Sequence, residues 1–153
     1  MKRSLNSTII AVPGYQFLRA DRNKTDKSMG GGVGMYVRDD LNYKILLSSE
    51  NNPNNKNEFL VVELKLLKKN VILAVVYCPP KSGNIGDLFE LCTKFVTNHE
   101  HIIIMGDFNC NLLNSSSHSS RTFSSIFQNI NMKILPQNAT HYTRSTETWI
   151  DRI

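Results

Sequence analysis

Alternating apolar and polar positions divide the chain into short strand-like runs, and helical periodicity appears in two places. Ser7 to Val12 is a short β-prone piece broken by Pro13-Gly14, and Tyr15 to Leu18 resumes it. Gly30-Gly31-Gly32 leads into Val33 to Val37, for which Leu41 to Leu47 is the expected hairpin partner. The Asn-rich stretch from Asn51 to Asn57 reads as a solvated loop. Glu58 to Leu66 is strand-like, Lys68-Lys69-Asn70 turns it into the apolar run Val71 to Tyr77, and Pro79-Pro80 stops that run. From about Ile85 to Asn98 the spacing becomes helical, with Ile85, Leu88, Leu91, Cys92, Phe95 and Val96 on one face. Asn84 suits the N-cap of this helix, and Asp87 puts negative charge in its first turn. Ile102 to Met105 has the length of a buried strand, which Gly106 ends. After a Ser-rich loop around Ser115 to Ser120, a second helix uses Phe123, Ile126, Phe127 and Ile130. Met132 to Leu135, Thr140 to Thr143 and Trp149 to Ile153 read as short final strands. With no internal repeat and no domain-sized linker, the pattern predicts one α/β unit.

Composition narrows this picture only a little. The 153 residues suffice for one domain, and Lys+Arg 18 against Asp+Glu 13 gives a formal charge of +5. That balance suits a polyanionic partner, although many ordinary domains share it. Cys78, Cys92 and Cys110 are odd in number and not at zinc-ligand spacing, which predicts reduced thiols in an intracellular protein. The start, from Met1 to Ser7, carries charge without an apolar core, so no secretory signal is expected. No apolar run approaches a membrane span, so no membrane association is expected. The sequons at Asn6, Asn114 and Asn138 are then expected to stay unmodified.

Candidate chemistry concentrates in His101 to Asn109. Positions i and i+2 leaving a strand point the same way, so Asp107 and Asn109 should project together at the mouth of a sheet. A carboxylate there can bind a metal or take a proton, and an amide can orient a phosphate oxygen. An Asp/Asn turn closing a core strand is the other reading of the same residues. Three further features look like sites and are better read otherwise. Gly30 to Gly34 resembles a phosphate-cradling loop, but a strand follows it rather than a helix, which favours a hairpin loop. His99 and His101 lack a nearby third ligand and read as solvated or helix-end residues. Glu147-Thr148-Trp149-Ile150 reads as the loop into the strand that carries Asp151.

Taken in order, several stretches resemble the endonuclease domain of non-LTR retrotransposons of the jockey-like and LINE type. That domain belongs to the endonuclease/exonuclease/phosphatase superfamily. The stretches are Pro13-Gly14-Tyr15, Arg19-Ala20-Asp21-Arg22, Gly30 to Val37, Glu58 to Leu64, Val75 to Pro80, Met105 to Asn109, Thr143-Arg144 and Thr148 to Asp151. Each alone is weak, but they span almost the whole chain in the family's order.

The resemblance implies a two-sheet α/β sandwich with helices outside, and roles for individual residues. Asp107 would orient or deprotonate the attacking water, and Asn109 would hold the phosphate and the aspartate in register. Tyr77 would place its hydroxyl on the scissile phosphate, and Asp151 would fix the family's catalytic histidine. Thr143, Arg144 and Thr148 would meet DNA, Arg144 at phosphate or in the minor groove. It further implies magnesium, strand nicking that primes reverse transcription, a reverse transcriptase domain downstream, and action in the nucleus. The family's first strands, one carrying the main magnesium-ligating glutamate, have no counterpart here, and neither does its closing histidine segment. The expectation is therefore a partial domain over residues 1–153, truncated at both ends and catalytically incomplete in isolation. A degenerate nucleic-acid-binding domain and a small-molecule or lipid phosphodiesterase of the same superfamily are the alternatives. Arg19 to Arg22 together with the Gly-rich hairpin favours the retrotransposon branch.

Overall fold

The computed structural model describes residues 11–22, 31–51, 56–80, 84–135, 138–142, 147–148 and 151–152. In chain order the regular elements are β1 (Tyr15–Ala20), β2 (Val33–Arg38), β3 (Asn42–Ser48), β4 (Glu58–Leu66) and β5 (Lys69–Tyr77). There follow α1 (Ile85–Val96), β6 (Ile102–Asp107), α2 (His118–Asn129), β7 (His141–Tyr142), β8 (Glu147–Thr148) and β9 (Asp151–Arg152). A five-stranded sheet runs β3-β4-β5-β6-β9, while β1-β2 and β7-β8 form separate pairs. Within the large sheet β5 and β6 are parallel and the other neighbours antiparallel. A parallel pair needs a crossover, and α1 supplies it.

Strand β4 explains the layering. Its run from Phe59 to Val62 is fully buried, as expected of a strand covered on both faces. Phe59 and Val61 face Ile72, Ala74 and Val76 of β5, together with Leu88, Leu91 and Cys92 of α1 and Phe123 and Phe127 of α2. Leu60, Val62 and Leu64 face the other way, onto Leu18, Ala20 and Val37 of the β1-β2 pair. Two helices therefore cover one face of the central sheet and a second sheet covers the other, the expected α/β sandwich.

The helices form where periodicity placed them. Asn84 caps α1 by accepting from the Gly86 N–H at 2.8 Å. Helix α2 ends in a Schellman motif: the Met132 N–H donates to the Phe127 carbonyl at 2.9 Å and the Asn131 N–H to the Gln128 carbonyl at 3.0 Å. Asn131 takes the left-handed conformation this closure requires, at φ 56°.

Other expectations are corrected. Val33 to Val37 does not form a hairpin with Leu41 to Leu47; β2 pairs with β1, and β3 pairs with β4. The apolar side of β2 is needed over Leu60 and Val62, and β1 shares that cover, so the chain changes layer between Arg38 and Asn42. The Gly-rich segment does lie between two antiparallel strands, as a hairpin loop would. Met132 to Leu135 is not a strand; Met132 and Ile134 pack into the core beside the helices, and such cover alternates just as a paired strand would. The turn after β4 is Leu67-Lys68, one residue earlier than expected, with Leu66 opposite Lys69. Glu147 and Thr148 are not loop but pair with Tyr142 and His141. Residues 7–10, at the start of the first expected strand, lie outside the described residues.

Candidate active site at the strand ends

The end of β6 is built around a glycine. Gly106 has φ +139°, and a Cβ there would lie 1.8 Å from the Val76 carbonyl oxygen. Only glycine admits this approach of β6 to β5. The strand continues through Gly106 to Asp107, and the Cys78 N–H donates to the Asp107 carbonyl at 2.8 Å. Phe108 turns into the core against Phe123 and Phe127, with ring centroids 5.3 and 6.5 Å away. Alternation along the strand sends Asp107 to the opposite side.

Both readings of this segment are realised together. The Asn109 N–H donates to Asp107 Oδ1 at 2.9 Å, an Asx turn, and this holds the two side chains in one local frame. Asn109 Nδ2 donates to the Cys78 carbonyl at 2.9 Å, tying the turn to the end of β5. Asn109 sits at φ 48°, a left-handed conformation that asparagine tolerates better than most residues.

Strand register brings further residues to the same edge. Tyr77 is the in-register partner of Asp107 on β5, and Asp151 is its partner on β9. Glu58 is the partner of Tyr77 on β4, so Glu58, Tyr77, Asp107 and Asp151 form one row across four strands. Directly opposed residues share a face. For Glu58 and Tyr77 this is the face of Leu60 and Val75, toward the β1-β2 layer. Tyr77, Asp107 and Asn109 are each half-buried. The backbone of Thr148 lies on β8, while Thr143 and Arg144 fall outside the described residues.

Glu58 was not singled out from the sequence, and its surroundings distinguish it. Its side chain is 7% exposed, forms an ion pair with Arg22 and accepts from the Gly32 N–H. An acidic residue opening an apolar run was the available signal. Its neighbour Asn57 is also buried and clamps the start of α1 from both sides: its Nδ2 donates to the Asn84 carbonyl at 2.8 Å, and its Oδ1 accepts from the Asn84 N–H at 3.1 Å.

The thiols beside this edge are inert. Burial pushes Cys78 up to about 12, and the Asp107 carboxylate acts in the same direction. Burial does the same to Cys92, also to about 12. All three cysteines are buried, and no disulfide joins them among the described residues. His99 lies at the end of α1 with Nδ1 3.2 Å from the Phe95 carbonyl, in keeping with a helix-end residue.

Magnesium is bound by oxygen ligands, carboxylates above all. Among the described residues no three His, Cys, Asp or Glu side chains come together to hold a metal ion. Glu58, the other described carboxylate of the row, is engaged by Arg22 and Gly32. The described residues alone therefore do not fit a magnesium site.

A two-layer sheet core with helices on one side is an α/β fold of the endonuclease/exonuclease/phosphatase type. The chain belongs to the endonuclease-reverse transcriptase family, whose model matches residues 71–153, more than half of its length. Among solved structures it is similar to the endonuclease domain of TRAS1, a telomere-specific non-LTR retrotransposon, with a TM-score of 0.71 and 17% identity. That match covers 92% of this chain and 64% of the TRAS1 domain, so the chain spans under two thirds of that relative. A D. rerio TDP2 structure complexed with single-strand DNA product matches at TM-score 0.51 and 10% identity, over 91% of this chain and 60% of that one. A Bacteroides thetaiotaomicron protein of the endonuclease/exonuclease/phosphatase family matches at TM-score 0.50 and 14% identity, over 74% of this chain and 46% of that one. Comparison with the curated proteins gave no match. Among the described residues no helix is long and apolar enough to cross a membrane.

Proposed function

We propose that this chain is part of a retrotransposon-type endonuclease domain that hydrolyses a phosphodiester in one strand of DNA. The observation that carries the reading is the in-register row Tyr77–Asp107–Asp151 with Asn109 held beside Asp107. Two strand ends thus bring a phenol, a carboxylate and an amide to one short edge with Asp151 in register on a third, and the family membership supports reading that edge as one that meets nucleic acid.

In this reading Asp107 orients a water molecule and accepts its proton as the water oxygen bonds to phosphorus. The P–O3′ bond breaks and the leaving oxygen takes a proton from solvent, giving a 3′-hydroxyl and a 5′-phosphate. Tyr77 donates its hydroxyl to a non-bridging phosphate oxygen where negative charge grows. An amide nitrogen has two hydrogens. One on Asn109 is spent on Cys78, which fixes the side chain so that the amide meets the phosphate without reorganisation. Asp151, placed beside Asp107 by its backbone, orients a histidine supplied from outside this chain. Thr143, Arg144 and Thr148 contact the DNA backbone. Magnesium belongs to the completed domain, with its principal ligand also supplied from outside these residues. The 3′-hydroxyl would prime a reverse transcriptase encoded downstream, in the nucleus.

Supercoiled plasmid in magnesium tests the reading. The chain extended by its flanking reading frame is expected to convert plasmid to open circles far faster than the isolated 153-residue chain. Groups that act as a unit lose most of their effect when one is missing, so restoring one end alone should recover little. Equal and robust nicking by the isolated chain would show that its own residues complete the site, and Glu147 would then be the first to test as a ligand.

A further inference from the structure

The two ends of the β1–β2 connection converge on one carboxylate. Arg22 lies two residues after β1 and pairs with Glu58, while Gly32 precedes β2 directly and donates its N–H to the same side chain. The neck is closed tightly at both glycines. A Cβ on Gly31 would lie 2.4 Å from the Arg22 guanidinium carbon, and one on Gly32 2.8 Å from the Ala20 carbonyl oxygen. Gly31 and Gly32 adopt φ +105° and +103°, so other residues would be strained there as well. Glu58 is itself the cross-strand partner of Tyr77.

We infer that Glu58 and Arg22 are a positioning pair: they lock the neck of the β1–β2 connection against the Tyr77 end of the catalytic row and so fix where the Tyr77 hydroxyl stands. The inference rests on the proposed phosphodiesterase reading. A buried carboxylate pays for desolvation only when it is paired and hydrogen-bonded, and Glu58 has both partners. Those partners lie at the two ends of the connection that joins β1 to β2, and the carboxylate on the central sheet, so the pair ties the second layer to the first beside Tyr77. An apolar residue at position 58 would pack the layers equally well, but it would leave the Gly32 N–H and the Arg22 charge without this acceptor.

The test uses the flank-extended protein with Glu58→Gln, Arg22→Lys, the double variant and Asp107→Ala. Glu58→Gln keeps the shape and the acceptor for Gly32, and Arg22→Lys keeps the charge but loses the guanidinium fork. Displacing a group by a fraction of an ångström in a preorganised site costs about 10- to 100-fold. Each single variant is therefore expected to lower kcat for nicking by about that factor with KM within about twofold, and the double variant to lose little more than either single one. Exchange of the Gly32 amide, followed by NMR, is expected to accelerate at least about tenfold in Glu58→Ala while the amides of Val61 and Val62 stay protected. Wild-type kcat in both single variants alongside a dead Asp107→Ala would overturn the inference and leave the phosphodiesterase reading standing. Wild-type nicking by Asp107→Ala would instead overturn that reading. Unchanged Gly32 exchange in Glu58→Ala would overturn the inference whether or not DNA is cut.

Discussion

Gly106 is the residue on which the strand-end row depends most sharply. Any Cβ at this position meets the Val76 carbonyl at 1.8 Å, so either β5 and β6 separate or the Asp107 turn moves. Gly106→Ala is expected to cost at least about 3 kcal/mol, combining overpacking with strain at a glycine-only φ. Urea denaturation of the two proteins checks this, and a loss under about 1 kcal/mol would mean that the strands part easily. The thiols next to the edge give a second residue-level expectation. Cys78 and Cys92 are both pushed up to about 12 from 9.0, so the folded protein holds their protons more tightly than the unfolded chain does. Their contribution is complete below pH 9 and is lost as the pH rises from about 9 toward about 12, where the unfolded thiols ionise first. Denaturation midpoints should fall across that window, and a Cys78→Ser, Cys92→Ser variant should show a shallower fall. At pH 8 neither thiol should react with Ellman's reagent until the protein unfolds.

At the scale of elements, the junction of β6 with α2 couples the fold to the site. Phe108 is the residue between Asp107 and Asn109, and its ring stands edge-on to Phe123 in the helix layer. Phe123→Ala is expected to cost about 3–5 kcal/mol, since the side chain is buried and its neighbours close the space only in part. The same variant should slow nicking in the flank-extended protein at temperatures where it stays folded, because Phe108 then loses the wall that sets its neighbours. Thermal denaturation and nicking rates on one preparation separate these two effects. Much of this level was legible in the sequence, because its causes are local. The apolar run of β4, the Asn84 cap and the helical spacing of Leu88, Leu91 and Cys92 are each written within a few residues. The Asp/Asn turn after the strand is local in the same way, since the Asn109 N–H reaches Asp107 two residues back. What stayed hidden depends on distant partners. Whether β2 pairs with β1 or β3 is decided by which apolar face must cover Leu60, and alternation within Val33 to Val37 is the same in both cases. Met132 and Ile134 alternate as cover for a core, which no local pattern separates from a strand. The Glu58–Arg22 pair joins residues 36 positions apart, and an acidic residue opening an apolar run does not say which cation it meets.

At the scale of the whole molecule, the proposed function would have charge and the strand-end row act together on DNA. A formal charge of +5 favours a polyanion, and duplex DNA releases counterions when lysines and arginines displace them. The chain is expected to bind duplex DNA weakly and with little sequence preference, its log affinity falling linearly with log salt. Fluorescence anisotropy between about 50 and 200 mM salt reads the slope. Affinity that does not change over that range would mean that phosphates are not the contact. The layered core gives this binding a direction, because β5, β6 and β9 bring Tyr77, Asp107 and Asp151 to one edge. The central claim is that this edge breaks phosphodiesters through Asp107. The most direct measurement is magnesium-dependent nicking of supercoiled plasmid by the flank-extended protein and by its Asp107→Ala variant, both confirmed folded by circular dichroism. Loss of a proton-accepting group costs about 10²–10⁴-fold, so the variant should fall at least about 100-fold below the wild type with its DNA affinity preserved. Nicking by the folded variant at the wild-type rate would contradict the account.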